Sequence, residues 1–322
     1  MKEIDRMLKV LNKPAIKTIK MRPSAYPKVA EAETNVEKIH QPWHLNGTCP
    51  EGTVPIHRTQ KSDLMRAISL KNFGKKYPER IHHPEIGDDG HVHAIVSTSE
   101  DKYFGGKADL HLWNPRVSSN DFSLAQIWIA TKDRQHTLEA GWMSDAYRST
   151  GCYNLKCSGF VQVTREYSLG GTISPVSEYG GHQFRLAVNI FQDVENGNWW
   201  LQLQNYLIGY WPGSLDPGFA GGAEVVQYGG EVVDDVAARG IKGPHTTTEM
   251  GSGHFSGEGE GKAGAFSKLQ VIDKDQSGYK SPQDVTTFVR QPNCYDLSLM
   301  KTTSNWGVYF FYGGPGRNQN CP

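Results

Sequence analysis

The texture of residues 93–312 is the strongest constraint on what this chain can become. Short apolar runs of alternating side chains recur at 93–97, 107–113, 123–130, 137–142, 159–163, 184–190, 199–203, 206–211, 223–226, 264–271 and 306–312. Turn residues separate them, and no helical period lies between them, which excludes βαβ units. Period-two runs joined by short turns make antiparallel sheet, and the apolar face of such a sheet must be buried against another layer. The expected fold is all-β: an antiparallel, jelly-roll-like β-sandwich. The 35 glycines and the 11% aromatic content suit a turn-rich β protein better than a helical bundle.

The N-terminal quarter reads differently. A short helix is expected over 2–12, with Ile4, Leu8 and Leu11 on one face and Pro14 beyond its end. A second is expected over 63–72, with Ser62 as its cap. The rest, up to residue 79, is polar, punctuated by proline and without a sustained period. HHPEIGDDGH (82–91) reads as an exposed linker. The chain therefore divides into a small, mostly irregular N-terminal region, 1–84, and a sandwich domain, 85–322.

Charge narrows the choice of partners. Lys plus Arg and Asp plus Glu number 34 each, a balance that argues against a general binder of nucleic acid or of anionic membranes. No apolar run approaches the roughly 20 residues that span a bilayer. MKEIDRMLKVLNK lacks the apolar core of a signal peptide and taken literally points to the cytosol. The cysteines point the other way. Cys152 and Cys157 bracket a four-residue turn, and Cys294 and Cys321 flank the last strands, leaving Cys49 over. Both pairs read as loop staples of a secreted protein, and Asn46-Gly47-Thr48 offers a glycosylation site at Asn46.

Two segments look built to hold a carboxylate. In QYGGEVV a strand meets two glycines and then Glu231, which alternation places on the face of Val225 and Gln227. In TLEAGW a strand leads to Glu139, followed by a small residue and a glycine. Two carboxylates close enough to share a proton form an acid–base pair: one stays protonated in mild acid, and the other ionises and activates water. Glycines beside them would let a substrate backbone approach. Other patterns carry less. His82, His83, Glu85, His91 and His93 lack the tight spacing of a zinc scaffold. Residues 273–284 have the oxygen spacing of a calcium loop, but Asp284 stands where a glutamate is required, and the segment reads as a plain Asp/Gly turn. No metal or organic cofactor is expected. Trp199, Trp200, Tyr210 and Trp211 read mostly as core, with some available to line a groove.

TLEAGW, STGCYNLKCSGFVQV, GNWWLQL, IGYWP, QYGGEVV, HTTTEMGSGHF and YFFYGGPGRNQNCP, in this order, closely resemble the neprosin family of plant proteins. LNKPAIKTIK, MRPS and QPWHLNGTCPEGTVPI resemble that family's activation segment. The resemblance implies a secreted glutamic endopeptidase that favours proline, works in acid and sheds its N-terminal segment. It also implies a sandwich of two antiparallel sheets. The family's catalytic glutamates fall on Glu139 and Glu231, and its disulfides on Cys152–Cys157 and Cys294–Cys321. A monomer acting on a peptide or protein substrate is expected. Three departures stand out: the usual signal peptide is missing, Lys20 runs straight into Met21 where relatives carry a cysteine-bearing segment, and a turn and strand are missing after Trp142. In addition, Gln227-Tyr228 replaces Glu-Trp, which is expected to alter the groove beside Glu231. Two other readings stay open: a sandwich glycoside hydrolase, whose chemistry also uses two carboxylates, and a non-enzymatic extracellular binding protein.

Overall fold

A computed structural model describes residues 2–12, 14, 19–27, 39–66, 70, 73–74, 90–118, 121–139, 142–143, 154–301 and 306–322. Two antiparallel sheets face each other across one apolar core. The strands, in chain order, are β1 (His91–Thr98), β2 (Tyr103–His111), β3 (Phe122–Ala130), β4 (Thr137–Leu138), β5 (Trp142–Met143), β6 (Val161–Gln162) and β7 (Arg185–Asp193). They continue with β8 (Asn198–Leu203), β9 (Tyr206–Trp211), β10 (Val225–Val233), β11 (Gly264–Asp273), β12 (Val285–Val289), β13 (Asp296–Lys301) and β14 (Val308–Gly313). The six-stranded sheet runs β12-β1-β10-β3-β4-β5, and the eight-stranded sheet runs β13-β14-β11-β2-β7-β8-β9-β6.

Alternation decides which side chains enter the space between the sheets. On β10, Val226, Tyr228 and Val232 point inward, and the Tyr228 hydroxyl donates to the Gln270 carbonyl on β11, 2.8 Å away. Their cross-strand partners Ile127 and Ile129 on β3, and Val92, Ala94 and Val96 on β1, share that face. From the other sheet come Leu110, Leu186, Ile190, Trp199, Trp211, Phe266 and Phe310. Trp200 and Tyr210 instead face outward from the eight-stranded sheet, where they are buried with Phe191 and Ile272 and covered partly by Met21. All four of the aromatics singled out from the sequence are therefore buried.

Two α-helices lie in the described part of the N-terminal region. A helix over Lys2–Leu11 (α1) opens on Glu3 and Asp5 and closes on Lys9, charges that complement its dipole. Its end is tied to the next segment by Asn12, whose amide donates to Thr59 O and whose Oδ1 accepts from Thr59 N. The second helix (α2) spans Lys61–Arg66, starting before the expected 63. Ser62 lies inside it rather than capping it. The cap is Gln60, whose backbone N–H donates to Asp63 Oδ2 at 2.8 Å, the reverse half of a capping box.

Several strand boundaries differ from expectation for physical reasons. The 137–142 run is not one strand: it is the hairpin β4–β5, with Glu139 in the bend. β10 does not stop at Val226 but runs on through both glycines to Val233. Gly229 takes φ +153, and a Cβ there would drive into the Ala94 carbonyl oxygen. Gly230 lies where a Cβ would come within 2.6–2.9 Å of Tyr312 and Met250. The pair thus allows a distorted central strand and close packing on the opposite sheet. By alternation Gly229 lies on the face of Glu231, and Gly230 on the face turned to the other sheet. One short helix, Asp235–Ala238 (α3), follows β10 directly, capped by the Asp234 carboxylate on the N–H groups of Val236 and Ala237.

Candidate active site

The odd-numbered residues of β10 point away from the inter-sheet core, so Gln227 and Glu231 share the outer face of the six-stranded sheet. Glu231 is fully buried there. An ionised carboxylate in such a place requires a charged or strongly hydrogen-bonding partner. β1 supplies it. His91 Nδ1 lies 2.6 Å from Glu231 Oε1, with the two side chains 1% and 0% exposed. His93, directly opposite Glu231 in the β1–β10 register, brings its Nε2 to 3.6 Å from Oε2. The two imidazoles are stacked, with centroids 6.5 Å apart, and His93 leans on Trp128 of β3.

Glu139 lies on the same outer face, two strands away. Thr137 is paired with Ala130 of β3, whose side chain faces outward, and Glu139 follows two residues later. It is 3% exposed. The Thr137 hydroxyl donates to its Oε1 at 2.9 Å, and the Gln126 amide of β3 donates to its Oε2. Gln126 lies directly across from Gly229, two residues before Glu231. The sheet thus brings both glutamates to one face, with Gln126 rising from the strand between them. Among the contacts described, neutral donors meet Glu139 and imidazoles meet Glu231.

Gln227 also faces this side, its amide donating to Ser97 Oγ at 3.3 Å. Tyr228 does not. It points between the sheets, and burial pushes its phenol well above the usual range. Of the Gln227-Tyr228 replacement, therefore, only Gln227 alters the glutamate face.

The sequence reading missed His91 and His93 as site residues. It put His91 in a linker and began the strand at His93, yet HVHAIVS alternates from its first residue. Gln126 and Thr137 carried the same signal, as polar residues at outward positions of apolar runs. His82, His83 and Glu85 lie outside the described residues, as does Cys152. Cys157 is disulfide-bonded. Cys294 and Cys321 form the second expected disulfide, and Cys49 is a half-buried free thiol. Asn46 is exposed at the end of a short 3-10 turn over Pro42–Asn46. In the calcium-like loop, the Lys280 ammonium pairs with Asp273 and lies 3.4 Å from Asp275 Oδ2. Among the described residues, one group has metal-ligand spacing, His245 with Cys294 and Cys321, and its two sulfurs are committed to the disulfide.

These features define a two-sheet antiparallel sandwich with two buried carboxylates on one outer face. The sequence model of the neprosin family matches residues 131–315, and that of the neprosin activation peptide matches residues 9–97. The chain belongs to the neprosin family. A solved structure titled as Scytalido-glutamic peptidase with a peptide-based transition-state analogue is also similar, at 11% identity. It covers 70% of this chain and 98% of its own, with a TM-score of 0.37, too loose a likeness to bear on function.

Proposed function

We propose that this chain is a glutamic-type endopeptidase that hydrolyses peptide bonds in acid, favouring proline, with Glu139 and Glu231 as its catalytic pair. Membership of the neprosin family supports a peptidase. The observation that carries the finer reading is the burial of two carboxylates on one face of one sheet, each with its own set of hydrogen-bonding partners. In the reaction, water attacks the scissile carbonyl carbon, and one glutamate takes the proton that water loses. The other glutamate gives its proton to the departing nitrogen as the C–N bond breaks. The proton gained by the first then returns to the second, so the pair is restored. Substrate would be a peptide or protein held against the outer face, with no nucleic acid, membrane or cofactor involved. Residues 1–84 would act as the activation segment and 85–322 as the catalytic domain of a secreted, disulfide-stapled monomer glycosylated at Asn46.

The test is digestion of a proline-containing peptide in acid by the acid-treated protein and by Glu231→Gln. Loss of at least about a hundredfold in rate is expected, the scale of removing one general acid or base. Cleavage by the variant at the parental rate would overturn the pairing. One observation favours a second reading, a non-catalytic extracellular binding protein: Glu139 is held at the sheet's edge by strands of only two residues each. Folded parental protein that cleaves nothing would decide for it.

A further inference from the structure

We propose that His91 is a positioning residue for the glutamate pair, its imidazole holding Glu231 as the ionised partner and so leaving Glu139 as the partner that carries the proton. This rests on the peptidase reading above and adds the division of labour.

Two like carboxylates have no reason of their own to take different roles; an asymmetric neighbour must break the tie. The neighbours here are asymmetric. The contacts described at Glu139 come from an amide and a hydroxyl, neither of which can gain charge in acid. The Thr137 hydroxyl can donate or accept, so a proton on Glu139 Oε1 would still find an acceptor. Glu231 is held by a group that does gain charge. With a proton on each ring nitrogen, the His91 imidazole would present its Nδ1–H, 2.6 Å from Oε1, as a charge-assisted donor in a buried setting. A cation at that distance keeps a carboxylate ionised where an isolated one would protonate.

Three further groups stand around His91 among the described residues. His93 stacks beside it and approaches the second oxygen of Glu231. The Arg290 guanidinium donates to the His91 backbone oxygen at 3.1 Å, on the side of the neighbouring strand β12, so its repulsion is weaker than the direct pull of Glu231. Asp234, whose N–H bonds the Gly90 carbonyl, adds a negative charge at the end of β1.

The experiment compares pH profiles of kcat and KM for parent, His91→Asn and Glu231→Gln on one proline-containing peptide across the acidic range. Asn keeps an N–H near the Nδ1 position but cannot ionise. In His91→Asn the acidic limb of kcat is expected to move up by about one pH unit or more, a loss of about tenfold at the acid end, with KM little changed. A parental profile in His91→Asn together with an inactive Glu231→Gln overturns the role of His91 alone. Parental cleavage by Glu231→Gln overturns the peptidase pairing itself. Should His91→Asn fail to fold, histidine-labelled NMR titration of parent and Glu231→Gln decides. The His91 ring is expected to titrate at least about one unit lower in Glu231→Gln, and an unchanged titration overturns the proposal.

Discussion

Buried at the end of β2, the His111 ring lies 5.4 Å from Trp306 and across from Arg185 of β7, whose guanidinium sits 5.0 Å over the same indole. Among the described residues neither ring nitrogen has a hydrogen-bond partner. Burial, and then the Arg185 charge, push its pKa down from 6.5 to about 3. A histidine depressed in this way binds more protons unfolded than folded. Its contribution is intact above pH 6.5 and is lost as pH falls toward 3, at up to about 1.4 kcal/mol per unit. His111→Leu is therefore expected to lose less stability than the parent across that window, by on the order of a few kcal/mol. Thermal midpoints at neutral and acid pH measure it, and equal acid sensitivity would refute it. At this scale the sequence showed the candidates unevenly. Glu231 could be placed by alternation along its own strand. The burial of His111 and the contact of His91 with Glu231 depend on strands distant in sequence, which composition and spacing do not report.

Strand position in the sheet explains which elements were legible. The central runs, such as β3, β7 and β9, alternate cleanly because one face is apolar core, and their expected spans lie close to those observed. The two strands missed outright, β12 and β13, lie at sheet edges, where VTTFV and DLSLMK carry threonine, serine and lysine that edge positions tolerate. β10 looked shorter than it is because glycine is depleted in strands, yet here two glycines meet steric demands set by Ala94 and Tyr312. The terminal hairpin β13–β14 forms one edge of the eight-stranded sheet, and the Cys294–Cys321 disulfide closes its base across 27 residues. Closing a loop of that length restricts the unfolded chain by about 3.5 kcal/mol. The double variant Cys294→Ser/Cys321→Ser is expected to lose roughly that much in urea denaturation. A loss under about 1 kcal/mol would show that packing of the hairpin alone holds the edge.

At the scale of the molecule, the described N-terminal segment embraces the eight-stranded sheet. Met21 packs beside Phe191, Trp200 and Tyr210, Ser24 N–H donates to the buried Asp193 carboxylate, and Tyr26 meets Phe191. Further on, Gln41 exchanges two hydrogen bonds with Ser168, and His44 Nε2 reaches the Glu166 carbonyl. The match to the activation peptide runs on to residue 97, well into β1. But β1 lies inside the six-stranded sheet, flanked by β10 and β12. A maturation cut that discarded residues through 97 would unzip the sheet and take the partner of Glu231 with it. N-terminal sequencing of acid-matured protein is therefore expected to begin at or before His91, and a fragment starting beyond Thr98 with no tightly held companion peptide would contradict this. A cut that spared β1 would leave a graft: the last piece of the matched prosegment would stay behind as a permanent rib of the sheet it once accompanied.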